Sequence, residues 1–178
     1  MNNSDLVLPP LYPHSRIHSR IGELAHEIDT YYRTNPSDSA VLALILMKGA
    51  MYFASELTLW IPQDLEICPF NVSSYNGEKY SSGAIHYDSM VLHKCKNRRV
   101  LLIDDIHDTG QTLSAIQNDL KGKATEVKTV VLLEKEVQRK AEAQIDWVGF
   151  KIPDLFVVGF GLDFQEKYRN LKYITTLE

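Results

Sequence analysis

The hydrophobic positions of this chain follow two different rhythms in turn. Ile17, Ile21, Leu24, Ala25 and Ile28 recur every three or four residues, the stripe of an amphipathic helix. That helix should end near Asn35-Pro36, because a proline drives the residue before it out of the helical region. Ahead of it, Pro9, Pro10 and Pro13 make residues 1–13 an extended lead-in. Residues 40–47 are then apolar without alternation, which reads as a strand buried on both faces, as in a parallel sheet. Helical spacing returns over 49–60 through Met51, Ala54, Leu57 and Leu59, with Pro62 at the exit, and residues 65–72 are a third strand candidate. Residues 73–83 are polar, small and aperiodic, which predicts a mobile loop of the length often used as a lid. Ile85 and Tyr87, then residues 90–93, predict short strands that could pair as a hairpin. The run Val100-Leu101-Leu102-Ile103 is a further buried strand. Leu113, Ile116 and Leu120 give a helical face, residues 127–133 a strand, 136–146 a polar irregular segment, and 155–158 a last short strand before a loop at 159–163. Strands alternating with helices predict an α/β fold with a mainly parallel central sheet flanked by helices.

A chain of 178 residues without repeat or linker fits one domain. Its 44% hydrophobic and 24% charged residues are ordinary for a globular protein. The net charge of −4 offers no basic face for nucleic acid, so any phosphate must be bound in a local pocket. Cys68 and Cys95 lack metal-ligand spacing and read as free thiols of a reducing compartment. The first residues lack the basic start and apolar core of a secretory signal, and no apolar run has the length of a membrane span. A cytoplasmic protein with no membrane partner is the expectation.

Chemistry concentrates where the run from Val100 meets Asp104, Asp105 and Asp108 and then Thr109-Gly110-Gln111-Thr112. Open α/β sheets take ligands beyond the carboxyl ends of their strands. The turn can aim backbone N–H groups at a phosphate from a helix N-terminus, Gly110 allows close approach, and the two threonines add hydroxyl donors. Asp104 and Asp105 point to opposite sides if they lie on a strand, but at a strand end they could converge on ribose hydroxyls or hold Mg²⁺ through water. The plainer reading is that such acids cap the following helix.

The stretch from Val100 to Thr112 resembles the phosphoribosyl pyrophosphate signature of type I phosphoribosyltransferases. Gly149-Phe150-Lys151-Ile152-Pro153-Asp154, the run from Phe156 to Asp163, and Glu166 to Leu171 are similar to the carboxyl end of the hypoxanthine-guanine branch of that family. Leu46-Met47-Lys48-Gly49 is similar to its pyrophosphate loop, and Ser73-Ser74-Tyr75 with Ser81-Ser82-Gly83 to its lid. The resemblance implies a core over about 37–150 and a small hood built from about 1–20 and 151–178. It implies transfer of phosphoribosyl from phosphoribosyl pyrophosphate to a 6-oxopurine with Mg²⁺. Asp108 would be the general base and part of the 5′-phosphate loop with Thr109, Gly110, Gln111 and Thr112. Asp104 and Asp105 would serve the ribose and the metal's water shell, and Asp163 would bind metal. Lys48, Gly49 and Arg169 would hold pyrophosphate, with a cis peptide before Lys48. Ser74 and Tyr75 would close the lid. Lys135, Phe156, Val157 and Leu162 would bind the purine, Lys135 donating to its 6-oxo group. Asp104 stands where the family usually has Glu, His107 where an apolar residue is common, and Gln111 where Lys is frequent. The resemblance implies a homodimer or homotetramer. A preference for xanthine, or a non-catalytic protein that senses phosphoribosyl pyrophosphate, are the alternatives.

Overall fold

In the computed structural model, which describes residues 9–74, 85–87 and 89–177, the first apolar stripe forms α1 (His14–Thr34). The chain continues through β1 (Val41–Met47), α2 (Met51–Trp60), β2 (Leu65–Ser74), β3 (Ile85–Tyr87), α3 (Ser89–Lys94), β4 (Arg99–His107) and α4 (Gln111–Leu120). It ends with β5 (Glu126–Lys135), β6 (Trp147–Ile152), β7 (Val157–Val158) and β8 (Thr175–Thr176). The main sheet has the order β3-β2-β1-β4-β5-β6. All its pairings are parallel except that of β3 with β2. A separate antiparallel pair joins β7 to β8.

The unbroken apolar runs are explained by layers on both sheet faces. Along β1, Val41, Ala43 and Ile45 enter one buried cluster with α1 and α2, while Leu42, Leu44 and Leu46 enter a second with α3 and α4. Along β4, Leu101 and Ile103 join the first, and Val100 and Leu102 the second. A strand covered on both sides has no polar face to show.

Two expectations are corrected. Residues 90–93 lie in α3 and not in a strand: Leu92 and Cys95 share the second cluster, and the Cys95 thiol reaches the carbonyl of Val91 four residues back. A short apolar run carries too few positions to separate period two from period 3.6. The segment from residue 73 onward is not all loop, since Ser73 and Ser74 extend β2 opposite His86 and Ile85; residues 75–84 lie outside the described residues. Strand β6 is marked only by the short run Trp147-Val148-Gly149-Phe150, whose residues are half-buried, too few positions to separate a strand from a helix. Its backbone is tied to α1, where Arg20 donates to the carbonyls of Val148 and Gly149 at 2.9 and 3.0 Å. Occupied edge carbonyls are closed to further strand pairing.

Below the sheet's amino end, Glu126 accepts from Tyr31 and from Arg99, the latter at 2.8 Å. Burial alone would raise the Glu126 carboxyl, but these hydrogen bonds and the charges of Arg99 and Lys128 outweigh it and hold it below its ordinary value. A depressed folded-state value stabilises the fold above the unfolded value near 4.5 and is lost as pH falls through the folded one. Glu126→Gln should therefore lower stability at pH 7 and flatten the acid limb of stability against pH, measured by urea unfolding across pH 3 to 7. An unchanged acid limb would remove Glu126 from that role.

Candidate active site

The strand order reverses direction between β1 and β4: the chain leaves β1 for β2 on one side and returns to β4 on the other. The crevice beyond such a switch point is the usual ligand site of an open α/β sheet. A cleft of about 710 Å³ opens there. Lys48 and Gly49, the end of β4, the turn to Thr112, and Asp163, Glu166 and Arg169 all line it.

Asp104 and Asp105 both lie within β4, which runs past the apolar stretch to His107. The Asp105 N–H donates to Asp104 Oδ1 at 3.0 Å. Burial pushes the Asp104 carboxyl well above its ordinary range, and the charge of Asp105 adds to it. Burial raises Asp105 as well, opposed by its hydrogen bonds and the positive charge of Arg169. Gly49 is pressed against this pair: a Cβ there would stand 2.0 Å from Asp105 Oδ2. The Met47–Lys48 peptide is cis, as the resemblance implied. Gly161, at φ +104°, lies so close that its own Cβ would meet the Gly49 carbonyl oxygen at 2.0 Å. The loop after β1, the end of β4 and the loop after β7 thus close on one another through two glycines.

On the opposite lip, Lys48 Nζ pairs with Glu166 Oε2 at 2.9 Å. Arg169 donates to the Gly161 carbonyl at 2.8 Å and pairs with Asp163 at 2.8 Å and Glu166 at 3.2 Å. Asp163 also accepts from the Glu166 N–H at 2.8 Å. Lys48 and Arg169 hold the Glu166 carboxyl below its ordinary value.

The turn leads into α4 through Gly110, whose φ of +83° an L side chain rarely adopts. The N-cap position of this helix is Gly110 and not Asp108, and among the described residues no side-chain cap hydrogen bond is made there, which does not support the plain helix-cap reading of Asp108. Its half-exposed carboxylate instead faces Lys135 Nζ at 3.1 Å. Lys135 is buried at the end of β5 and also reaches Asp154 at 3.3 Å.

Lys135, Phe156, Val157 and Leu162 do not line the cleft itself; Lys135 is joined to it through Asp108. Phe156 is no core residue: it is 52% exposed and meets Phe164 edge-on at 5.7 Å between ring centres. Val157 is buried opposite Thr176, and buried Leu162 exchanges backbone hydrogen bonds with Gly159. Ser74 lies at the end of β2, while Tyr75 lies outside the described residues. The sequence reading gave no role to His107, Glu134, Arg139 or Glu166. Arg139 sits in an aperiodic polar segment, so no pattern marked it. Glu166 opens the stretch to Leu171 that resembles the family's carboxyl end, three residues before Arg169, but that resemblance carries no role for it.

A parallel sheet whose switch-point cleft joins buried carboxylates, a glycine turn at a helix N-terminus and a cis loop defines a phosphoribosyl-transfer fold, and residues 10–165 match the family model of the phosphoribosyl transferase domain. Hypoxanthine-guanine phosphoribosyltransferase of Bacillus subtilis is 38% identical over 169 residues, covering 94% of this chain and 92% of the relative. The enzyme of the same name from Streptococcus pneumoniae is 38% identical over 162 residues, 90% of each chain. Among solved structures, a hypoxanthine phosphoribosyltransferase of Staphylococcus aureus superposes with a TM-score of 0.82 at 35% identity, over 95% of this chain and 90% of that one. The Trypanosoma cruzi enzyme in complex with the product IMP superposes with a TM-score of 0.87 at 28% identity, over 100% and 98%. The chain belongs to the hypoxanthine-guanine phosphoribosyltransferase family. Among the described residues no helix is long and apolar enough to cross a membrane.

Proposed function

We propose that this protein transfers the 5-phosphoribosyl group of phosphoribosyl pyrophosphate to N9 of hypoxanthine or guanine, giving IMP or GMP and pyrophosphate, a step of purine salvage. The observation that carries the reading is the Asp108–Lys135 pair. A carboxylate at the phosphate turn stands 3.1 Å from a buried lysine on the next strand. In the transfer the bond from ribose C1 to the pyrophosphate oxygen breaks as N9 bonds to C1. The proton at purine N7 passes to, or is held by, Asp108. Lys135 donates a hydrogen bond to the 6-oxo group, a bond that the 6-amino group of adenine cannot accept. The half-exposed ring of Phe156 stacks on the base, and the backbone near Val157 and Leu162 borders its 2-position edge. Pyrophosphate leaves toward Lys48, the amides around Gly49 and Arg169, whose guanidinium suits phosphate oxygens. Glu166 must release Lys48 for that contact. The N–H groups from Asp108 to Thr112 hold the 5′-phosphate.

The chemistry of the cleft suits Mg²⁺ completed by substrate and water oxygens: Asp104 and Asp105 on β4 and, apart from them, Asp163 supply hard oxygen donors, while among the described residues no three acids, histidines or cysteines are grouped to hold an ion by themselves. Burial pushes the Asp104 and Asp105 carboxyls up, so a cation beside them favours their charged forms. Bound there, Mg²⁺ would neutralise charge on the departing pyrophosphate. Asp104 and Asp105 then orient the ribose hydroxyls, through a bridging water where the shorter Asp104 falls short. The hood is assigned to about 1–20 and 151–178 over a core of about 37–150. Mutual backbone bonds between Tyr12 and Ile174 and the Thr175 hydroxyl bond to the Pro9 carbonyl support it. Exposed Met51, Tyr52, Leu59 and Trp60 on α2 support a homodimer or homotetramer. A cytoplasmic location fits the free thiols Cys68 and Cys95.

The test is kcat/KM for hypoxanthine, guanine, xanthine and adenine with phosphoribosyl pyrophosphate and Mg²⁺. The first two should turn over and adenine should not. Lys135→Met should lower kcat/KM for hypoxanthine by about 10-fold to 100-fold, the value of a hydrogen bond to a charged donor, with little change for adenine. Absence of turnover with any 6-oxopurine would overturn the assignment.

A further inference from the structure

An anion cradle built from backbone needs its N–H groups toward the ligand and its carbonyl oxygens turned away and satisfied. Three successive carbonyls of the phosphate turn have donors from one short segment. Arg139 Nη1 stands 2.5 Å from the Asp108 carbonyl and 3.4 Å from that of His107. The N–H groups of Lys140 and Ala141 donate to the Thr109 carbonyl at 3.0 and 3.2 Å. The Ala141 carbonyl in turn presses on Gly110, where a Cβ would meet it at 2.1 Å.

Arg139 is itself held. Its Nη2 donates to Glu134 Oε1 at 3.1 Å, and the same oxygen lies 3.3 Å from His107 Nδ1. His107 is 4% exposed, and its Nε2 is buried without a hydrogen-bond partner among the described residues. That nitrogen lies 3.3 Å from where a Cβ of Gly110 would be. The imidazole therefore sits directly behind the turn.

We propose that Arg139, Glu134 and His107 form a positioning clamp behind the phosphate turn. Arg139 draws the carbonyls of His107 and Asp108 away from the cleft, so that the following N–H groups face the 5′-phosphate. Glu134 fixes Arg139 and the His107 ring together. The side chains of Arg139 and Glu134 do not line the cleft, and the His107 ring is buried behind the turn. The clamp rests on the assignment of residues 108–112 as the 5′-phosphate site, and the test separates the two.

Steady-state kinetics with hypoxanthine, phosphoribosyl pyrophosphate and Mg²⁺ would compare Thr112→Ala, Arg139→Met, Arg139→Lys, Glu134→Ala and Glu134→Gln. Arg139→Met and Glu134→Ala should each raise KM for phosphoribosyl pyrophosphate by about tenfold or more, the scale of a lost charged hydrogen bond, with KM for hypoxanthine moving less than about threefold. Glu134→Gln keeps an acceptor for Arg139 and should stay within about threefold of the native enzyme. Arg139→Lys keeps one donor for the Asp108 carbonyl and should recover part of the loss. If Arg139→Met does not fold, the Glu134 pair carries the comparison alone. If Thr112→Ala raises KM and neither Arg139→Met nor Glu134→Ala does, the clamp is overturned. So it is if Glu134→Gln is as poor as Glu134→Ala, or if both substrates' KM values rise together. If Thr112→Ala also leaves KM unchanged, it is the phosphate-site assignment that fails.

Discussion

Asp108→Asn should lower kcat for IMP formation by about 10²–10⁴-fold, the usual worth of a general base. The substitution keeps the size of the side chain and an oxygen that can accept from Lys135, which stands 3.1 Å away in the native pair. It removes the ability to take the N7 proton. Because no side-chain cap of α4 is lost and the carboxylate is half-exposed, the fold should survive, and KM for phosphoribosyl pyrophosphate should change far less than kcat. Initial rates over a range of both substrates, with a thermal melt of the variant, measure this. A kcat within threefold of the native enzyme would take Asp108 out of the chemistry and leave it a partner of Lys135 only.

Gly49→Ala should cost about 10²-fold in kcat/KM, the scale of an ångström-sized misplacement at a reacting centre. One methyl group is the whole change, yet it would enter the space of Asp105 Oδ2 at 2.0 Å. Asp105 cannot retreat easily, since it belongs to the central strand of the sheet. Nor can the loop, because Gly161 packs against the Gly49 carbonyl. Either the ribose-side carboxylate or the pyrophosphate loop must shift. Overpacking of this kind costs about 1–3 kcal/mol of stability, so a drop in Tm should accompany the loss of activity. Native kinetics in a well-folded Gly49→Ala protein would show that the contact between loop and acid does not matter.

Much of this site could be read from residues in order. The run from Val100 into Asp104, Asp105 and Asp108 announces a buried strand ending in acids, because a strand covered on both faces must be apolar until it reaches a ligand. The turn that follows is marked by Gly110, at a backbone angle other residues avoid. Strand β6 and the true state of residues 90–93 were not legible, for a shared reason. Half-buried positions and short apolar runs carry little periodic signal, and packing against Leu132 or the second core cluster decides them.

By itself, then, the order of residues determined the α/β layering, the place of the acids and the phosphate turn, since these depend on local periodicity and on neighbours within a few positions. Only the tertiary structure decided that Asp108 pairs with Lys135, that Glu166 covers Lys48, and that Arg139 holds the turn from behind. Those contacts join residues 27, 118 and 31 positions apart. Separations of that size leave no periodic trace: hydrophobic burial sets the sheet, and the sheet then brings such charges within reach.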